Sequence, residues 1–281
     1  MATPYGSTLD PSANSADNPL SAAVGVRDRN VIDMVRDALE RKEAFLLFQP
    51  VVDCGDTRRV AFYESLIRVS DDTGRTIPAK DFIMQVENTE TGRIIDCLAL
   101  EIVMRTLRER PDIRLSVNMS ARSMGYMGWL DTYFAGLKPD PTVADRLIIE
   151  ITESSAIEMP DITRGFMDRI QATGASFALD DFGAGYTSFR YLKEFLFDVI
   201  KIDQYFVRNI HRDADNRAIV ATLIQIAAHF DMFCVVEGVE TEEEAACLRA
   251  MGADCLQGFL YGHAATLPPV QKQQKKWPRF G

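Results

Sequence analysis

Short apolar runs alternate along the chain with stretches whose apolar residues recur at helical spacing. That alternation predicts a parallel sheet joined by crossover helices. Residues 30–42 carry Val31, Val35, Ala38 and Leu39 on one face, which predicts a helix, and Phe45–Phe48 follows as a strand. Strand-like runs then recur at Arg59–Arg68, Ile113–Asn118, Arg146–Ile151, Ala175–Asp180, Asp198–Asp203, Met232–Glu237 and Asp254–Gln257. Thr241 with Glu244 forms a capping box, and Gly252 closes the helix it opens; Gly174 stops another helix that begins near Pro160. Eight strands with helices between them predict an α/β fold of the (β/α) barrel type.

The chain has 281 residues, and such barrels occupy about 250 residues as one unit. Residues 1–27, rich in Ser, Ala, Asn and Pro and poor in periodicity, are expected to be a disordered leader. Residues 28–267 are expected to be the barrel domain, and 268–281 a basic, flexible tail. No run approaches the roughly 18 apolar residues of a membrane span, and the N-terminus lacks a secretory signal, so the expected location is cytoplasmic. Five dispersed cysteines predict reduced thiols rather than a zinc site or a disulfide frame. With three histidines, acid–base work falls to carboxylates or lysine. A net charge of −10 speaks against a DNA or RNA polymer as partner. It leaves room for a small anionic substrate where bound cations reverse the local sign.

The polar residues at the strand ends carry the chemistry. Val60–Phe62 leads into Glu64, Leu115–Val117 into Asn118, Leu147–Ile149 into Glu150, and Phe177–Leu179 into Asp180 and Asp181. Val199–Ile200 leads to Lys201 and then Asp203, Cys234–Val236 to Glu237, and Leu256 to Gln257. In a barrel the C-terminal ends of parallel strands converge on one mouth, where active sites lie. Carboxylates gathered there repel one another unless cations bridge them. Oxygen donors without His or Cys select hard ions such as Mg²⁺ or Mn²⁺. The Asp180-Asp181-Phe182-Gly183-Ala184-Gly185 run shares a DFG triplet with kinases, but a kinase glycine-rich loop and HRD segment are absent.

Assembled in order, FQPVV (48–52), YESLIR (63–68), SVNMS (116–120), EITES (150–154), ALDDFGAGYTS (178–188), VIKID (199–203), VVEGVET (235–241) and LQGFLYG (256–262) resemble the EAL family of cyclic di-GMP phosphodiesterases. The resemblance runs from about Phe45 to Gly262. It implies a modified (β/α)8 barrel whose first strand is antiparallel to the others. It also implies two Mg²⁺ or Mn²⁺ ions, the first held by Glu64, Asn118, Glu150 and Asp180, the second with help from Asp181. Glu64, Lys201 and Glu237 form the implied catalytic set, the latter two beside the attacking water. Gln49, Arg68, Asp203, Glu240 and Gln257 are implied to line the substrate pocket, and Glu153 to anchor the Asp180–Ser188 loop. The chain departs from the family in reading Glu-Ser-Leu for Glu-Ala-Leu, Val69 for a frequent Trp, and Gly262-His263-Ala264 for Gly-Arg-Pro. Its 85–94 segment is about two residues longer than usual.

The function so implied is hydrolysis of cyclic di-GMP to linear pGpG by a homodimer, with Ca²⁺ inhibiting and any regulatory protein partner unspecified. A catalytically silent cyclic di-GMP receptor or protein-interaction module is the alternative; loss of metal ligands marks that state, and every ligand position here is filled. A Schiff-base lyase using Lys201 needs an apolar setting that lowers the lysine pKa, whereas acids surround it in the sequence.

Overall fold

The computed structural model describes residues 19–183 and 191–268, with side chains from residue 30 onward except at 191. A long helix, α1 (Pro19–Glu40), comes first. It starts well before residue 30, so residues 19–27, expected to be disordered, are helical; Pro19 suits a first turn, and Leu20, Ala22 and Ala23 are strong helix formers. The rest of the expected leader, and the expected tail beyond Pro268, lie outside the described residues.

The next strand, β1 (Ala44–Asp53), runs through Pro50 instead of ending at Phe48. Proline has no amide proton to give a ladder, and Pro50 falls where β1 passes from a bridge with Ala265 at Phe48 to its pairing with residues 255–257 at Val51. Then come β2 (Val60–Ser70) and a three-residue β3 (Thr76–Pro78) that folds back on it through an Asp71 turn. Two helices, α2 (Ile83–Val86) and α3 (Glu90–Glu109), meet across the 85–94 segment. This is a tight corner and no loose insertion: a Cβ on Gly92 would stand 2.5 Å from Val86 O, so only glycine lets α3 start there.

Six more strands, parallel to β2, follow with their helices. The first elements are β4 (Leu115–Asn118), α4 (Ala121–Met124), α5 (Met127–Leu137), β5 (Leu147–Thr152), α6 (Glu153–Glu158), α7 (Pro160–Gln171) and β6 (Ser176–Phe182). After these come β7 (Val199–Ile202), α8 (Ala214–His229), β8 (Phe233–Val236), α9 (Glu242–Met251) and a last strand, β9 (Cys255–Gln257). The sheet order is β1-β9-β8-β7-β6-β5-β4-β2-β3, and β1 also pairs with β2, so eight strands close a barrel with β3 outside it. β1 is antiparallel to both its neighbours. The capping box at Thr241 and Glu244 forms, and Gly252 ends α9 in the left-handed conformation.

Two apolar layers hold this arrangement. One lies between the outer barrel face and the helices, where Trp129 stacks on Tyr133 at 5.6 Å and meets Phe166 edge-on at 5.2 Å. Each such ring, fully buried, stabilises the fold by about 1.5–3 kcal/mol. The other fills the barrel itself with Val51, Phe62, Ile148, Ala178, Val199, Val235 and Cys255. At the end opposite the mouth, Asp198 accepts from Phe177 N and Asp254 from Cys234 N, both at 2.8 Å, satisfying amides where strands begin. Among the described residues no helix is long and apolar enough to cross a membrane.

Candidate active site

Strand side chains alternate faces with a period of two, and this places the site. Two positions beyond the apolar plug, toward the mouth, stand Glu64, Glu150, Asp180, Lys201, Glu237 and Gln257. On the antiparallel β1 the same step runs backwards, from Val51 to Gln49. On β4 it runs from the fully buried Ser116 to Asn118. The polar ring therefore rests on a dry floor.

Lys201 is the centre of the ring, with 1% of its side chain exposed. Its Nζ lies 2.7 Å from Glu237, 2.8 Å from Glu150, 3.1 Å from Asp180 and 3.8 Å from Glu64. Burial alone lowers an ammonium pKa, but Asp180, Glu150, Glu237 and Glu64 together hold this one well above its ordinary value. Glu150, wholly buried, has its carboxyl pushed up to about 8 by desolvation, against the pull of Lys201. Burial also raises Glu237, again opposed by Lys201. One ammonium among four carboxylates leaves the pocket short of positive charge.

The remaining donors fit a site for hard cations. Glu64 takes hydrogen bonds from Asn118 Nδ2 at 3.2 Å and Gln257 Nε2 at 2.5 Å, so both amides steer it. Ligand oxygens of Asp180, Asp181 and Glu237 lie within 4.8 Å of one another. Glu150 Oε1 and Gln257 Oε1 are buried with no hydrogen-bond partner among the described residues, a vacancy that costs free energy unless another group fills it. Asp181, at the lip, is a non-glycine residue at φ 55, and partial burial with Asp180 and Asp203 nearby pushes its carboxyl up to about 6. Oxygen-only donors, a crowd of negative charge and orphaned oxygens match divalent Mg²⁺ or Mn²⁺.

The structure separates the expected pocket residues. Gln49 reaches Gly262 O at 3.2 Å and Arg68 its neighbour Ile67 O at 2.8 Å, both half-buried near the rim. Asp203 caps the turn at Gln204–Phe206 by accepting from Tyr205 N, and Glu240 is exposed. Gln257 is 4% exposed, and within the ring its Nε2 donates to Glu64. Glu153 accepts from Gly183 N at 3.5 Å, so it touches the start of the Asp180–Ser188 loop; residues 184–190 lie outside the described residues. From the mouth a cavity of about 540 Å³ extends over β4 toward α3, lined by Glu64, Asn118, Glu150 and Asp180 at one end and by Asn88 and Asp96 at the other. Asp96 is absent from the residues singled out in the sequence. Its signal was an acid on the apolar face of α3, between Ile95 and Ala99.

A family model described as EAL domain matches residues 32–264. The bifunctional diguanylate cyclase/cyclic di-GMP phosphodiesterase MucR of Pseudomonas aeruginosa is 31% identical over 233 residues, covering 81% of this chain and 34% of MucR. Cyclic di-GMP phosphodiesterase PdeR of Escherichia coli is 32% identical over 247 residues, covering 84% of this chain and 36% of PdeR. The chain thus spans about a third of the length of these curated relatives. Among solved structures, PaMucR phosphodiesterase in its c-di-GMP complex aligns with a TM-score of 0.78 at 30% identity, over 84% of this chain and 98% of that one. The FimX EAL domain of Pseudomonas aeruginosa bound to c-di-GMP gives 0.75 at 26% identity, over 82% and 94%.

Proposed function

This chain belongs to the EAL domain family, and on that premise we propose that it hydrolyses cyclic di-GMP to linear pGpG with two bound Mg²⁺ or Mn²⁺ ions. The observation that carries the reading is the ring of Glu64, Glu150, Asp180 and Glu237 around Lys201, which brings three of the expected ligands together with Glu237. Glu64, Asn118, Glu150, Asp180 and Asp181 would hold the ions, which supply polarisation of a phosphoryl oxygen and acidification of the attacking water.

The chain's own groups do the rest. Water oxygen bonds to phosphorus, the bond from phosphorus to one ribose 3′-oxygen breaks, the water proton passes to the Glu237 carboxylate, whose raised pKa suits it to hold a proton, and the departing 3′-oxygen takes a proton from solvent water. Lys201, kept charged, stabilises negative charge developing on the phosphoryl and leaving oxygens. A lysine held in its ammonium form cannot serve as a Schiff-base amine, which sets the lyase reading aside. Gln49, Arg68 and Glu240 at the rim hold the nucleotide. Metal-stripped protein given cyclic di-GMP and then Mg²⁺ or Mn²⁺ tests the proposal, with products separated by chromatography. Ion-dependent pGpG is expected; cyclic di-GMP bound but never opened would make the chain a receptor instead.

A further inference from the structure

Asp96 lies on the inner face of α3, 7% exposed, where the helix lines the mouth cavity. Burial drives its carboxyl above the ordinary range, and the structure compensates with three donors on a single oxygen. Asp96 Oδ2 accepts from Ser120 N at 3.1 Å, Ser120 Oγ at 2.8 Å and Ser123 Oγ at 2.6 Å. All three donors lie just beyond β4, whose last residue is Asn118, on Ser120 at the cap of α4 and Ser123 within it. Between Asn118 and Ser120, Met119 N donates to Glu150 O at 2.9 Å. The backbone directly after Asn118 is thus pinned at Met119 and at Ser120, and the Asn118 amide donates to Glu64 at 3.2 Å.

We propose that Asp96 is a positioning residue of the metal site: by clamping Ser120 and Ser123 it aims the Asn118 amide, and through it the Glu64 carboxylate, at the bound cations. The inference rests on the phosphodiesterase reading of that site. Asp96 acts through Ser120 and Ser123 and not on the ions, because it stands on α3 outside the ring around Lys201. Partners that orient metal ligands commonly contribute about 10–100-fold to affinity or activity.

The test compares Asp96→Ala with Asp96→Asn, reading Mn²⁺ affinity from the paramagnetic resonance of the free ion and, separately, kcat and KM for cyclic di-GMP. Asparagine keeps an acceptor oxygen for the serines, and alanine does not. Asp96→Ala is expected to weaken Mn²⁺ binding and lower kcat by about 10-fold or more, with KM little changed, and Asp96→Asn to restore most of both. Asp96→Asn as poor as Asp96→Ala would show that charge matters and not aim, overturning the clamp. So would a folded Asp96→Ala with parental Mn²⁺ affinity. Should Asp96→Ala fail to fold, Ser123→Ala removes one donor alone and is expected to weaken Mn²⁺ binding by a smaller factor; parental affinity there overturns the clamp. A parent protein that binds no Mn²⁺ overturns the reading of the site itself, whereas a parent that binds it no better than these variants overturns the clamp alone.

Discussion

At Lys201 the fold tolerates an almost fully buried ammonium because four carboxylates surround it, and those carboxylates tolerate each other partly because of it. Breaking a buried ion pair from one side costs about 3–5 kcal/mol. Lys201→Ala is therefore expected to lose stability in chelator and regain part of it in Mg²⁺, while kcat falls by about 10²-fold or more. Urea unfolding in chelator and in Mg²⁺, beside turnover, checks this; a change confined to KM would move Lys201 out of the catalytic set. Asp96 gives a prediction in pH. Its folded-state pKa is raised by burial, with Glu87 adding to the rise, so its contribution is fully present below the unfolded value of about 4 and is lost as pH rises through the folded one. The stability of the parent relative to Asp96→Asn should accordingly fall on going from acid to neutral pH, and a flat difference would contradict it. The strand-end acids were readable because each follows an apolar run directly. Asp96 was not, because a single acid among helix apolar residues looks like an interruption until its serines, on another element, are placed against it.

Short apolar runs made the strands legible, from Val60 through Gln257, with boundaries off by a residue or two. What failed was where a break in the pattern did not break the element. β1 continues through Pro50 because no ladder amide is needed there, and α1 reaches back to Pro19. β3 is too short to show a period at all. The antiparallel sense of β1 has no local signal, since alternation reads the same in both directions; only the family resemblance supplied it. At α9 the local signals sufficed. Thr241 accepts from Glu244 N, while the 3%-exposed Glu244 accepts from Thr241 N, Glu240 N and, across the chain, Asn209 N at 2.8 Å. Thr241→Ala should cost about 1 kcal/mol in urea unfolding. Glu244→Ala should cost clearly more, because it strands three backbone amides at once. Equal costs would mean that the link to Asn209 contributes nothing.

On the scale of the molecule, an apolar plug separates the ring of charged side chains from the end where the strands begin, so the proposed ions and substrate would meet only one side of it. Flexible carboxylates admit more than one cation, and discrimination then comes from what each cation does to water. Ca²⁺ accepts looser geometry and is a poorer acid than Mg²⁺. It should support cyclic di-GMP binding but little hydrolysis, measured by calorimetry and chromatography on one metal-stripped sample. Ca²⁺ turnover equal to that with Mg²⁺ would remove the acidified water from the mechanism.

The closure of the barrel has a consequence for how the site comes into being. β1 must join segments far apart along the chain, pairing Val51 with Gln257 and Phe48 with Ala265. Contacts so far apart in sequence form late, because chain entropy opposes them until neighbouring structure is in place. A nascent chain halted before β9 already carries every carboxylate of the ring, yet it lacks Gln257 to turn Glu64 and the Gly262 carbonyl that holds Gln49. The proposed ion site is therefore expected to be complete only once this seam closes, and a ribosome-bound fragment can own all the acids without owning a site.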